Sequence, residues 1–372
     1  MTASPCWLQS LRLRFFRNHA ETRFSLNQGP VILTGANGSG KTNVLEAVSW
    51  LMPGRVLPNA TIADCSPVAC PAQAWQVEAS LVASEPVHLL TRRASTAGAD
   101  KRQVFLDEAE QPPAALENLL PQVWLTPKHD RLFSEGSTER RNYLDRIVYT
   151  FYPEHARHRQ RYDHAWRERE SVLEQSRPDR RWLGVLEEHV AREGVALAAA
   201  RLDVTQRLDG ACQERRGAFP KVKLSCEGAM EQALLNKPAL EVEEEFRKLL
   251  DANRIPGAPG LKVPHRSDLL AVHACKGVPA RLGSTGEQKA VLLSISLAHA
   301  RLLAGHHQRL PLLLLDEVVA HLDESRRQEL FEEILALGCQ AWLTGTDDGL
   351  FAALLPKAQG YSVENGKVAP YG

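Results

Sequence analysis

The spacing of apolar positions changes character twice along the chain. Leu11, Leu13 and Phe15 alternate with arginines and other polar residues, and Phe24 and Leu26 follow after a polar connection, which predicts a half-buried hairpin. Pro30–Thr34 (PVILT) is a short unbroken apolar run that reads as a buried strand. It ends in a glycine-rich loop, after which Leu45, Val48 and Leu51 share one face of a helix. Alternation returns at Trp75, Val77, Ala79 and Leu81, and again at Val104 and Leu106. After about Pro127 the pattern turns helical. Thr138 stands where a helix cap is expected, ahead of Leu144, Ile147, Val148 and Phe151 at helical spacing. Helical stretches over 155–175, 181–209 and 228–252 follow, closed by Pro256, Gly257, Pro259 and Gly260. Strand patterns reappear only near the end, at Pro311–Leu315 and Gln340–Thr344. The expected architecture is an α/β domain assembled from both chain ends, 1–126 and 266–372, interrupted by a helical arm over 127–265.

Composition narrows the class. A chain of 372 residues has room for roughly two domains of ~150 residues each. With 44% hydrophobic and 24% charged residues it is not a mainly disordered chain. No apolar run approaches the ~20 residues of a membrane helix, and Met1–Trp7 lacks a secretory leader's basic start and apolar stretch. The cysteines at 6, 65, 70, 212, 226, 275 and 339 form no C-x-x-C pair. Neither a zinc site nor a disulfide framework is indicated, and a reducing cytoplasm is the natural compartment. Lys plus Arg equal Asp plus Glu at 45 each. Nucleic acid is therefore not bound by bulk charge, and any such surface is a local patch or arises by assembly.

Two segments carry recognisable chemistry. Gly35, Ala36, Asn37, Gly38, Ser39, Gly40, Lys41 and Thr42 match G-x-x-x-x-G-K-[ST] between an expected strand and an expected helix. Such a loop curls backbone N–H groups around phosphate oxygens at the positive end of a helix. Lys41 would reach the β- and γ-phosphates, and the Thr42 hydroxyl would bind Mg²⁺. The apolar strand Leu312–Leu315 delivers Asp316 and Glu317 at its carboxyl end. In a phosphate-loop protein Asp316 completes the Mg²⁺ shell, and Glu317 orients or deprotonates the attacking water.

Ser284-Thr285-Gly286-Glu287-Gln288 opens a helical run upstream of Asp316, and here the chain resembles the ABC-type ATPases with their S-x-G-[GEQ]-Q signature. That resemblance implies that Ser284, Gly286 and Gln288 close on the γ-phosphate held by a second subunit, so that two ATP molecules join a head-to-tail homodimer. Ala320–Asp323 is similar to the family's D-loop, which brings Asp323 to the dimer seam. Transport ATPases carry a γ-phosphate-sensing histidine after the next strand. Here the segment reads Thr344-Gly345-Thr346-Asp347, which points away from transporters and leaves Thr346 as the polar residue in that place.

The wide separation of Lys41 and Asp316 requires a large insertion, yet its helices are interrupted, unlike a long heptad coiled coil. Further segments resemble the bacterial RecF family of DNA replication and repair proteins: Leu11–Asn18 (LRLRFFRN), Gly35–Glu46, Trp124–Pro127, Asp130–Phe133, Gly136–Asp145, His265–Asp268, Ser284–Lys289 and Pro311–Asp323. Two departures are Val263 before Pro264, where the family usually has Gly, and the stretch 155–260, which shows little match. The resemblance implies a cytoplasmic, weakly active, DNA-stimulated ATPase, with ATP and Mg²⁺ as cofactors and hydrolysis acting as a switch. It also implies recognition of gapped DNA at single-/double-strand junctions, cooperation with RecO and RecR proteins, and loading of RecA.

Candidate DNA contacts are Arg92 and Arg93 with Lys101 and Arg102 on a hairpin, Arg140 and Arg141 on the first arm helix, and Arg157, Arg159 and Arg161 beyond it. A solvated surface is the alternative for each cluster. His155 and His158 lack a third metal ligand nearby, and Trp166 and Trp182 read as arm core rather than base-stacking platforms. Competing readings are a nucleotide-binding scaffold without useful hydrolysis and another ABC-type DNA-processing ATPase. A fused nuclease is disfavoured by the short stretch after Asp316, and a transporter subunit by the internal insertion.

Overall fold

A computed structural model describes residues 3–52, 60–96, 99–117, 119–214, 219–257, 261 and 263–371. In chain order the first elements are β1 (Trp7–Phe16), β2 (His19–Ser25), β3 (Val31–Thr34), α1 (Lys41–Ser49), β4 (Gln76–Val82), β5 (Val87–Thr96), β6 (Ala99–Leu106), β7 (Ala109–Gln111) and β8 (Gln122–Leu125). The middle holds α2 (Ser137–Tyr149), α3 (His155–Leu173), α4 (Arg180–Gln213), β9 (Val222–Glu227), α5 (Ala229–Leu234), α6 (Ala239–Ala252), β10 (Asp268–His273), β11 (Val278–Pro279) and α7 (Thr285–His307). The last are β12 (Leu312–Leu315), α8 (Glu324–Leu337), β13 (Ala341–Gly345), β14 (Gln359–Glu364) and β15 (Lys367–Tyr371).

Two compact units result. Met1–Asp130, Arg216–Phe219 and Ser296–Gly372 form the first, and Arg131–Arg215 with Pro220–Ile295 form the second. The sequence reading set the later boundary at 265–266. Residues 266–295 instead group with the helical unit, because β10 pairs antiparallel with β9 from Asp268↔Glu227 to His273↔Val222.

The first unit holds two six-stranded sheets, ordered β2-β1-β4-β5-β6-β7 and β15-β14-β3-β13-β12-β8. The first is antiparallel. In the second, β14, β3, β13, β12 and β8 run parallel and β15 closes the edge antiparallel. Parallel strands buried on both faces read as unbroken apolar runs, which is why VILT and LLLL are wholly buried. One core joins both sheets through α1: Leu8, Leu11, Leu13 and Phe16 meet Val44, Leu45 and Val48, with Leu312, Leu314 and Trp342 in the same cluster. Phe15 departs from its expected inward place. It adopts φ +51°, which breaks the alternation, so Phe16 is buried while Phe15 is 43% exposed.

In the second unit α3, α4 and α6 bury Tyr162, Val190, Val195, Val242, Phe246 and Leu250 around a common core. Three sequence expectations are corrected here. Gly136, not Thr138, precedes the first turn of α2. The helical stretch expected over 228–252 is two helices, separated where Pro238 sets an extended backbone. A three-stranded sheet, β11-β10-β9, lies where the sequence pattern predicts no strand. Its clue was the buried–exposed alternation of Val222, Leu224 and Cys226. Trp166 packs against the core as expected, but Trp182 stands 41% exposed on α4. Pro259 and Gly260, read as part of the closing loop, lie outside the described residues.

Candidate functional site

The loop between β3 and α1 is shaped by glycine. Gly35 and Gly40 sit at φ +149° and +117°, a region side chains rarely enter. A Cβ on Gly35 would collide with the Val363 carbonyl, and one on Gly40 would lie 2.7 Å from the Asn18 amide. The neighbouring strands fix the loop from behind. Asn18 Nδ2 donates to the Ser39 carbonyl at 2.9 Å, as does the Gly366 N–H at 2.9 Å. His19, fully buried, sets Nε2 3.0 Å from the Gly40 carbonyl and Nδ1 2.9 Å from the Gly366 carbonyl. Burial pushes its pKa down, and the two carbonyls oppose that. Beneath α1, Arg17 grips Glu46 with two bonds of 2.6 and 2.7 Å. The lip at Ala36, Asn37 and Gly38 is exposed.

Lys41 Nζ donates to the Gly35 and Ala36 carbonyls at 2.6 and 2.9 Å. Burial lowers its pKa, with Glu317 and Asp316 acting against that. The Thr42 hydroxyl lies 3.0 Å from both oxygens of Asp316, 274 positions away in sequence. Asp316 is 4% exposed, and burial raises its pKa against the hydrogen bonds from Thr344 and Thr42. Thr344 Oγ1 donates to Asp316 Oδ1 at 2.7 Å and accepts the Glu317 N–H at 2.8 Å.

These residues fit a nucleotide with Mg²⁺ on their own geometry. The Ser39 hydroxyl is buried in the loop with no hydrogen-bond partner, a donor group that polar ligand oxygens would satisfy. The Thr42 hydroxyl and Asp316 carboxylate form a hard-oxygen pair of the kind Mg²⁺ takes alongside phosphate and water.

The remaining sequence candidates lie elsewhere. In the second unit Ser284 opens α7 as half of a capping box. Its N–H and hydroxyl donate to Glu287 Oε2 at 2.8 and 3.1 Å, and Glu287 N–H returns to Ser284 Oγ at 3.3 Å. Lys276 pairs with the same carboxylate and, with Ser284, holds its pKa down at about 2. Gly286 lies in this first turn of α7. Gln288 is tied at both ends, donating to the Gly283 carbonyl and accepting from Ser134 Oγ, each at 3.0 Å. In the first unit Asp323 caps α8 by accepting the Arg326 N–H at 2.9 Å. Thr346 is exposed.

Most of the arginines expected to contact DNA are committed to the fold. Arg93 bonds Asp100, Ser66 and the Pro71 carbonyl. Arg102 donates to the Trp50 and Met52 carbonyls, and burial lowers its pKa to about 10. Arg140 makes two 2.8 Å bonds to Asp268, and Arg141 is 6% exposed and donates to the Ser267 carbonyl. Arg159 pairs with Asp145 and Asp163. Each of these side chains therefore already has partners within the chain. Arg92 donates to Gln103 at 3.0 Å and lies over the Phe105 ring, while Lys101, Arg157 and Arg161 are exposed. His155 and His158 turn to different carboxylates, Asp145 at 2.9 Å and Glu193 at 2.6 Å.

The RecF/RecN/SMC N terminal domain model matches residues 7–366. The DNA replication and repair protein RecF of Rhizobium meliloti is 40% identical over 370 residues, covering 98% of both chains. The chain belongs to the RecF family. A solved structure of the recombination mediator protein RecF-ATPrS in the RecFOR pathway superposes with a TM-score of 0.83 at 18% identity, covering 100% of both chains. The Pyrococcus furiosus Smc head domain bound to the C-terminal domain of ScpA gives 0.55 at 14% identity, covering 99% of this chain and 96% of that one. The fold is therefore the ABC-type ATPase head shared by RecF and Smc proteins, with helices inserted between its two halves. Thr344 and His19 were not singled out from sequence, because their partners are set by strand register.

Proposed function

We propose that this RecF-family chain is an ATP-dependent, dimerising DNA-binding protein of recombinational repair and replication restart. The observation that carries the reading is the Thr42–Asp316 contact at 3.0 Å, which joins a phosphate loop to a buried carboxylate from the far end of the chain. Gly35–Thr42 hold ATP, with Lys41 leaving its two carbonyls for the β- and γ-phosphates. Thr42 and Asp316 hold Mg²⁺, which supplies charge neutralisation on the phosphates. Glu317 orients the attacking water and takes its proton. Ser284, Gly286, Gln288 and Asp323 complete the site of a second copy, so ATP joins a homodimer and slow hydrolysis releases it.

The DNA partner is gapped or junction DNA, met through the exposed cations Lys101, Arg157 and Arg161 and the half-buried Arg92. The RecFOR pathway named for the solved relative supports RecO and RecR as protein partners, and RecA loading is the outcome that the family resemblance implies. A DNA repair role places the site of action in the cytoplasm. No helix among the described residues is long and apolar enough to cross a membrane.

Light scattering after size exclusion tests this, without nucleotide, with ADP, with ATP plus Mg²⁺, and again with gapped duplex DNA. A dimer formed only with ATP and eluting with the DNA supports the reading. A monomer in every condition removes the shared site and leaves a nucleotide-binding scaffold.

A further inference from the structure

Parallel pairing of β12 with β13 ends at Leu315↔Leu343, which sets Asp316 and Thr344 side by side at the strand ends. Thr344 is fully buried. A threonine hydroxyl has one proton to give and lone pairs to accept, and Thr344 uses both on adjacent residues. Its proton goes to Asp316 Oδ1 at 2.7 Å, and its oxygen takes the Glu317 N–H at 2.8 Å. That second bond has a backbone correlate. Glu317 sits at φ +52° and ψ 26°, in the left-handed region that non-glycine residues occupy only when their surroundings hold them there. The left-handed turn at Glu317 and the bond from its N–H to Thr344 occur together, at the residue that must aim a carboxylate.

Thr42 also bonds Asp316, but its hydroxyl is the one assigned to Mg²⁺. Thr344 is fully buried, and both of its hydroxyl hydrogen bonds stay within the chain.

We infer that Thr344 is a positioning residue for ATP hydrolysis: its hydroxyl fixes the Asp316 carboxylate and holds the Glu317 backbone in the conformation that presents its side chain. The inference rests on the ATPase reading above. It assigns a task to the strand after Asp316–Glu317 that the exposed Thr346 does not perform by any contact of this kind. Groups that orient a site's own ligands typically change activity by roughly 10–100-fold when removed.

The test compares Thr344→Val, which keeps shape and loses the hydroxyl, with Thr344→Ser, which keeps the hydroxyl and loses a methyl. Single-turnover phosphate release and binding of a fluorescent ATP analogue are measured for each, with Lys41→Met and Glu317→Gln as references. The expected result is a roughly 10-fold or greater loss of hydrolysis in Val, analogue affinity within a few-fold of the parent, and near-parental hydrolysis in Ser. Should Val not fold by circular dichroism, Thr344→Cys, close in size with a weak S–H donor, takes its place in the same comparison. Val hydrolysing within about two-fold of the parent overturns the inference, and so does Ser as slow as Val. If the parent releases phosphate no faster than Glu317→Gln, the ATPase reading itself has failed and this assignment falls with it.

Discussion

The helical unit is held by a buried charge cluster whose removal has a calculable consequence. Asp145 on α2 is 3% exposed and meets Arg201 on α4 through bonds of 2.7 and 3.0 Å, with His155 at 2.9 Å and Arg159 on the same carboxylate. Arg201 is 1% exposed and donates onward to the Pro264 carbonyl at 2.6 Å. Burial pushes the Asp145 carboxyl up, but Arg201 and His155 together outweigh it and hold its pKa well below the usual carboxylate range. Asp145→Asn keeps the shape and removes the charge, leaving buried Arg201 with only Glu231, 4.0 Å away, as an acidic partner. Removing one partner of a buried pair costs about 3–5 kcal/mol. At ~2–4 °C per kcal/mol for a unit of this size, melting followed at 222 nm should fall by about 6–20 °C. The sign with pH follows from the depressed pKa. Asp145 stabilises the fold above its unfolded value near 4, and that contribution is lost as pH falls below it, so the acid limb of the stability curve should flatten in the variant. Glu241→Gln, in an exposed pair with Lys237, is the control and should leave melting unchanged. A drop of less than about 1 kcal/mol in Asp145→Asn would refute the cluster as the element joining α2 to α4.

Other consequences are equally direct. His265 Nδ1 lies 2.8 Å from the Tyr162 hydroxyl, and burial followed by Arg266 and Arg141 lowers its pKa to about 4. The folded state therefore resists protonating it, and stability should decline as pH falls from about 6.5 toward 4. Chemical denaturation at several pH values should show that slope reduced in His265→Gln; an identical slope would count against it. Glu317→Gln should slow phosphate release by roughly 100-fold or more and accumulate the ATP-bound dimer in light scattering, while an unaltered monomer–dimer balance would contradict its role. Glu287 places a carboxylate on the Ser284 donors that a partner's γ-phosphate would meet in the proposed dimer. Glu287→Gln should dimerise at lower ATP concentration in the same assay, and an unchanged or higher requirement would show that the capping box does not compete.

The parts of the site legible in sequence are those whose chemistry is local. The phosphate loop declares itself because three features coincide within eight positions: glycines where positive φ is needed, a lysine, and a hydroxyl at the first turn of α1. Asp316 and Glu317 follow from a fully buried parallel strand that must expose its polar end. Thr344 was overlooked because nothing in QAWLTG distinguishes a packing threonine from a positioning one. Only the β12–β13 register puts it beside Asp316. Phe15 was misplaced for a related reason, since period-2 alternation assumes a continuous extended backbone and one residue at φ +51° reverses it.

Charge read along the sequence takes no account of partners supplied from elsewhere in the chain. Arg93, Arg140 and Arg141 look like a phosphate-binding set in sequence, yet each has a partner distant along the chain, respectively Ser66, Asp268 and the Ser267 carbonyl. A cation count cannot reveal that, because an arginine bridging two elements and one facing solvent have the same composition. The distinction has a mechanistic consequence. With these guanidiniums spent on the fold, neutralising them would lower stability before it lowered DNA affinity. A loss of binding in Arg140→Ala or Arg141→Ala would then report unfolding of the helical unit, whereas Lys101→Ala or Arg157→Ala would alter the salt dependence of DNA binding at unchanged melting temperature.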